Sequence, residues 1–212
     1  MLRKKSGDTI EIIDSASQRF RSTLRLENHR VHAHLEELAL EEHSADRYRI
    51  DVAQAIPKGQ KMDFVVEKLT ELGTAQILPV YSERTVIEEI GSGKLERWRR
   101  LAKTAAQQCG RSTIPAICDP QPLASLIGAF ASYDVVLFPW ELADAAPLRE
   151  TLPGLLQTAR SILVVIGPEG GFSTDEAAAA RDAGAHLLSL GSRILRTETA
   201  ALVVMALLNY LS

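Results

Sequence analysis

Cysteine is scarce. Cys109 and Cys118 are the only two in 212 residues, nine positions apart and in neither a metal-ligand nor a CxxC spacing, which excludes a disulfide framework and points to a reducing, cytoplasmic setting. A basic excess is missing too. With 24 Lys and Arg against 27 Asp and Glu the formal net charge is -3, so no overall positive field announces a nucleic-acid partner, and any RNA contact must use local patches. The longest apolar run, 200–208, falls far short of the roughly 20 residues of a membrane span. The charged start, Met1 to Lys5, precedes no apolar core of signal-peptide length, so neither secretion nor membrane insertion is expected. His29, His32, His34, His43 and His186 form no ligand grouping, and no metal is expected. What remains, 46% hydrophobic and 24% charged residues, is the composition of a globular chain of one domain and a fraction.

Residues 8–36 carry short β-rich stretches, 9–13, 20–26 and 30–35, separated by polar turn material. They read as a small antiparallel unit, too small to bury much apolar surface alone. His32 and His34 alternate on one face of it and read as surface residues. A polar stretch, 41–47, makes a boundary. Beyond it strands alternate with helices, the pattern of an α/β chain with a mainly parallel sheet covered on both faces. The strand candidates are 50–56, 75–80, 134–138, 162–166 and 186–190. Met62, Val65, Val66, Leu69 and Leu72 recur at helical spacing before Gly73, and Leu95, Trp98, Leu101, Ala102, Ala105 and Cys109 trace a second helix. A short helix is expected at 147–152. Ser173-Thr174-Asp175-Glu176 has the form of a capping box and opens an Ala-rich helix that stops at Gly184. The last helix, 199–211, is apolar on nearly all sides and should be buried in the core or in a subunit interface.

Ligands of open parallel sheets bind beyond the carboxyl ends of the strands, which singles out the loops after Phe138, Ile166 and Leu190. After Ile166 comes Gly167-Pro168-Glu169-Gly170-Gly171, whose glycines allow positive φ and close approach of a ligand to the backbone. A tight strand-to-helix turn without a ligand is the competing reading. The loop is neither a Walker phosphate loop nor a GxGxxG dinucleotide turn. After Leu190, the run Gly191-Ser192-Arg193-Ile194-Leu195-Arg196-Thr197-Glu198-Thr199 sets arginines, threonines and a glutamate at the same edge. Thr197 as a helix cap and Glu198 as a partner of the helix dipole stand beside a catalytic role for either. Two glycine-containing turns at one edge would offer backbone N–H and C=O groups to an adenine-like ring.

The two runs 166–173 and 190–200 together resemble the RsmE family, the ribosomal RNA small-subunit methyltransferases. The likeness continues upstream through Ala55-Ile56-Pro57-Lys58-Gly59-Gln60-Lys61-Met62-Asp63, Lys68-Leu69-Thr70-Glu71-Leu72-Gly73, Ser82-Glu83-Arg84-Thr85, Glu96-Arg97-Trp98 and Gln107-Gln108-Cys109-Gly110-Arg111. It covers nearly all of 50–211. The resemblance implies a SPOUT (α/β-knot) domain at 47–212 with a C-terminal trefoil knot that binds S-adenosylmethionine and forms a homodimer. It implies methylation of N3 of a uridine in 16S rRNA within the small ribosomal subunit. Residues 1–46 are then part of a PUA-like β-barrel that helps hold RNA. Met1-Leu2-Arg3-Lys4-Lys5-Ser6-Gly7-Asp8 resembles an internal stretch of that barrel, so a chain that is truncated, wrongly assigned at its start or a shortened member, with weaker RNA affinity, is expected. A catalytically silent ribosome-assembly factor and a related knotted enzyme acting on tRNA are the alternatives.

Within that frame the cofactor-binding candidates are Phe138, Pro139, Ile166, Gly167, Glu169, Gly170, Gly171, Leu190, Gly191, Ile194, Leu195 and Thr199. Trp140, in the loop expected to form the third wall, is a packing candidate. Because neutral uridine N3 is a poor nucleophile, Arg196 or Arg111 would stabilise charge on the uracil carbonyls, and Glu198 or a water would take the proton. Glu169 serves either the ligand or a helix dipole. Arg3, Lys4, Lys58, Lys61, Arg84 and Arg111 are the RNA-contact candidates, with Lys5, Arg97 and Arg100 behind them.

Overall fold

The computed structural model describes residues 4–14, 19–27, 30–37, 47–86, 90–141 and 146–211. Arg3, His29, His43 and most of the polar boundary at 41–47 lie outside the described residues. The chain divides into two compact units, Met1–Ala45 and Asp46–Ser212.

In the first unit β1 (Thr9–Ile13), β2 (Arg19–Glu27) and β3 (Arg30–Glu37) form an antiparallel sheet in the order β1-β2-β3. The register sets Ile10 opposite Ser22, Leu24 opposite Ala33 and Leu26 opposite Val31. Because strand side chains alternate, these residues share one face, while Arg21, Arg25, His32 and His34 share the other. Leu24 is buried, and the loop before β1 is tied to it: the Gly7 N–H donates to Leu24 O at 2.8 Å and the Leu24 N–H to Asp8 O at 2.9 Å.

The second unit is built on an all-parallel sheet. Its strands are β4 (Arg49–Ala55), β5 (Gln76–Tyr81), β6 (Ala116–Ile117), β7 (Gln121–Pro122), β8 (Val135–Pro139), β9 (Ala146–Pro147), β10 (Ser161–Ile166) and β11 (His186–Ser189). They run in the order β6-β5-β4-β10-β8-β11-β9, with β7 pairing β5. The helices are α1 (Lys61–Glu71), α2 (Ser92–Cys109), α3 (Leu123–Ile127), α4 (Leu148–Leu155), α5 (Thr174–Asp182) and α6 (Thr197–Tyr210). Strand β10 shows why the unit needs two layers of helices. Ile162, Val164 and Ile166 enter one core with α1, α2, α4 and α6, whereas Leu163 and Val165 enter the other with α3 and α5. A strand buried on both faces reads as a continuous apolar run, Ser-Ile-Leu-Val-Val-Ile here.

The capping box forms as its spacing predicts: the Glu176 N–H donates to Ser173 Oγ at 3.2 Å and the Ser173 N–H to Glu176 Oε2 at 2.9 Å. Two boundaries differ from expectation. Helix α2 starts at Ser92, one turn before its first apolar residue, and α6 starts at Thr197 rather than Thr199. Arg196 therefore occupies the N-cap of α6 without a side-chain cap, and Thr197, read as a possible cap, is buried inside the first turn. Along α6, Thr197, Ala200, Ala201, Val204, Met205 and Leu208 are buried, whereas Leu207 and Tyr210 are exposed. The C-terminal end of α6 meets α1, where Asn209 Nδ2 donates to Leu72 O at 2.7 Å.

Candidate active site

Parallel strands deliver their carboxyl ends to one edge, and β10, β8 and β11 end there side by side. The loops that follow them, around 139–141, 166–172 and 189–197, enclose a cavity of about 240 Å³. Pro139, Trp140, Ile166, Phe172, Leu190 and Leu195 give it apolar walls, and Glu141, Glu169, Arg193 and Arg196 supply charge.

Two glycines shape the cavity for reasons of space. A Cβ on Gly167 would stand 3.1 Å from the Phe172 ring, and that ring packs on buried Phe138 with centroids 4.1 Å apart. Gly167 thus lets Phe172 close beneath the loop. Gly171 has φ +67°, a conformation that favours glycine, and its α-carbon lies against the movable end of the Glu141 side chain.

The floor is a buried polar chain. Thr197 Oγ1 donates to Gly167 O and accepts from Gln54 Nε2 at 2.8 Å. Gln54, fully buried on β4, also donates to Ala55 O, and its Oε1 has no hydrogen-bond partner. Thr197 therefore pins the loop after β10 to the central strand β4. Arg84 fixes the next stretch of the loop by donating from Nη1 to Gly170 O at 2.8 Å. Lys61 reaches Glu169 Oε1 at 2.9 Å and Glu198 Oε2 at 3.8 Å, and the Lys58 backbone N–H donates to Glu169 Oε1 at 3.2 Å. Burial pushes the Glu169 carboxyl up, but the Lys61 hydrogen bond and the backbone N–H donors outweigh it and hold the group below its ordinary 4.5. The Glu169 hydrogen bond is the main cause that raises Lys61.

Of the residues singled out from sequence, the cavity gathers Pro139, Ile166, Gly167, Glu169, Gly171, Leu190, Gly191, Ile194, Leu195 and Arg196. Phe138 lies beneath it behind Phe172, Gly170 faces Arg84, and Thr199 is exposed outside the lining. Glu198 is set behind Glu169, with its Oε2 buried and without a hydrogen-bond partner. Arg111 is not brought to the cavity. It lies at the amino ends of the strands, where Nη1 donates to Thr70 O and Thr74 O at 2.8 and 3.0 Å and Nη2 to Thr113 Oγ1. The exposed Lys4 belongs to the N-terminal unit, and Arg97 is paired with Asp63 at 2.7 Å.

Sequence reasoning missed Gln54 and the bracing role of Thr197, and it placed Glu141 in the third wall and Phe172 in the 166–173 motif without giving either a task. The available signal for Gln54 was a polar residue inside an apolar strand, a placement that costs free energy unless it is hydrogen-bonded. Among the described residues no group of three or more His, Cys, Asp or Glu could hold a metal, and no helix is long and apolar enough to cross a membrane.

A family model described as an RNA methyltransferase domain matches residues 44–209. The ribosomal RNA small subunit methyltransferase E of Mesomycoplasma hyopneumoniae is 32% identical over 159 residues, covering 74% of this chain and 67% of that protein. The chain belongs to the small subunit methyltransferase E family. The member from Synechocystis is 28% identical over 211 residues, covering 100% of this chain and 69% of its own length. The crystal structure of the family member from Neisseria gonorrhoeae bound to S-adenosyl methionine superposes with a TM-score of 0.86 at 28% identity, covering 99% of this chain and 85% of that one. The chain spans about two thirds of the length of the curated family members it matches.

Proposed function

We propose that this member of the family uses S-adenosylmethionine to methylate N3 of a uridine in 16S rRNA of the small ribosomal subunit. The observation that carries the reading is the cavity at the carboxyl edge. It has mostly apolar walls, is cradled by glycine backbone and is edged by the carboxylates of Glu141 and Glu169 and the guanidiniums of Arg193 and Arg196, which suits a ligand with a flat apolar ring and charges of both signs. When bound, S-adenosylmethionine supplies a methyl group activated by a sulfonium.

The chain's own residues then have distinct tasks. The Gly167 to Gly171 and Leu190 to Gly191 turns offer backbone donors and acceptors to the ligand. Ile166, Leu190 and Leu195 keep water away from the reacting atoms. Arg196, always protonated, donates to the uracil carbonyls as negative charge develops on the base. The N3 proton passes to Glu198 through a water. Arg111 is held at the opposite edge by backbone carbonyls, which takes it out of the catalytic set within one chain. Phosphate contacts fall to Lys58 and to the basic N-terminal residues.

The same reading makes 1–46 a partial PUA-like barrel that holds RNA and 47–212 the catalytic SPOUT domain, working in the cytoplasm. The path of α6, from β11 near one side of the sheet back to the core beside α1 and β4, supports a knotted C-terminus. Exposed Phe64, Leu207, Tyr210 and Leu211 support a homodimer built on α1 and α6.

The deciding experiment offers undermethylated small subunits and labelled S-adenosylmethionine to the purified protein, then identifies the modified nucleoside by mass spectrometry. Appearance of 3-methyluridine is expected. Tight cofactor binding with no transfer would instead mark a silent assembly factor, and label in tRNA a related enzyme.

A further inference from the structure

Lys61 reads from sequence as an RNA contact, but its ammonium already has two partners. It opens α1 and lies 2.9 Å from Glu169 Oε1 and 3.8 Å from Glu198 Oε2. Glu169 belongs to the loop after β10 and lines the cavity; Glu198 belongs to the first turn of α6. Three segments distant in sequence therefore meet at one nitrogen. Without a cation between them the two carboxylates would repel each other, and Glu198 could ill afford it, because its side chain is only 15% exposed and its Oε2 has no hydrogen-bond partner. The charged groups around the ammonium are Glu169 on the loop, Glu198 on α6 and Arg196 at the α6 N-cap. An ammonium engaged by two acids is poorly placed to neutralise a phosphate.

We propose that Lys61 is a positioning residue of the methyl-transfer site: its ammonium clamps the cofactor loop, through Glu169, to the first turn of the final helix, through Glu198. The inference rests on the reading of the cavity as the cofactor site. The clamp sets the loop's distance from α6 on the side that Thr197 does not reach. It also holds the Glu198 carboxylate beside the loop.

The test compares the full chain with Lys61→Met and Lys61→Arg. In unliganded protein, hydrogen exchange at the Gly167, Glu169, Gly170 and Gly171 amides should rise about tenfold in Lys61→Met, the loss of one charge-assisted hydrogen bond, and return towards the parent value in Lys61→Arg. S-adenosylmethionine affinity should fall by a similar factor and recover in Lys61→Arg. The slope of log RNA affinity against log salt should not change, whereas loss of a phosphate contact would reduce it by about 0.7–0.9. A reduced slope with unaltered loop exchange makes Lys61 an RNA ligand and overturns the clamp, as does unaltered exchange and an unaltered slope together. If the parent protein binds no S-adenosylmethionine while Lys61→Met still loosens the loop, the cofactor reading falls and the clamp stands.

Discussion

At the scale of single residues, Thr197 joins the site to the core. Its hydroxyl satisfies the Gly167 carbonyl and receives the Gln54 amide, so Thr197→Val keeps the shape and strands both partners. The expected loss is about 2 kcal/mol of stability, read by urea unfolding, together with weaker S-adenosylmethionine binding by calorimetry. Tyr133 carries a pH dependence. Burial first, then the charge and hydrogen bond of Asp51 at 2.9 Å, raise its phenol above the ordinary 10.0. The folded state thus holds that proton more tightly than the unfolded chain. The stability it lends is intact below pH 10.0 and is lost as pH rises past that value. Tyr133→Phe should remove this part of the alkaline loss, visible as a flatter urea midpoint across about pH 9 to 11. The site's glycines and charged loop residues were legible in sequence because they break local pattern. Gln54 was not, since its role comes from a residue more than a hundred positions away.

At the scale of elements, the longest segments were the most legible. Strand β10 and helices α1, α2, α5 and α6 all carry a sustained period or a cap signal. The two-residue strands β6, β7 and β9 offer no period at all and exist only because neighbouring strands pair with them. Helix α4 was blurred by Pro153 within it, a residue that withholds a backbone donor and usually ends a helix. The capping box of α5 should be worth about 1 kcal/mol, so Ser173→Ala is expected to lower the thermal midpoint by a few degrees. Because Glu176 Oε1 also accepts the Glu83 N–H at 2.7 Å, Glu176→Ala should cost more than Ser173→Ala in the same melting series.

At the scale of the whole molecule, the division into a small antiparallel unit and a parallel α/β unit was legible from the change of period near residue 47. The proposed pairing of two chains belongs here. Tyr210 is 83% exposed next to other apolar side chains of α6, so Tyr210→Glu should convert a dimer to monomers in sedimentation velocity and leave the unfolding transition of each monomer cooperative. The sheet order could not be read from sequence, because it depends on which strands meet after long crossovers rather than on any local run.

Helix α6 supplies the cavity floor through Thr197 and a large share of one core through Val204, Met205 and Leu208. During synthesis this helix leaves the ribosome after every other element described here. A nascent chain halted before it would have neither a finished interior nor a ligand pocket, so the capacity to capture a small molecule waits for the last of the elements described here.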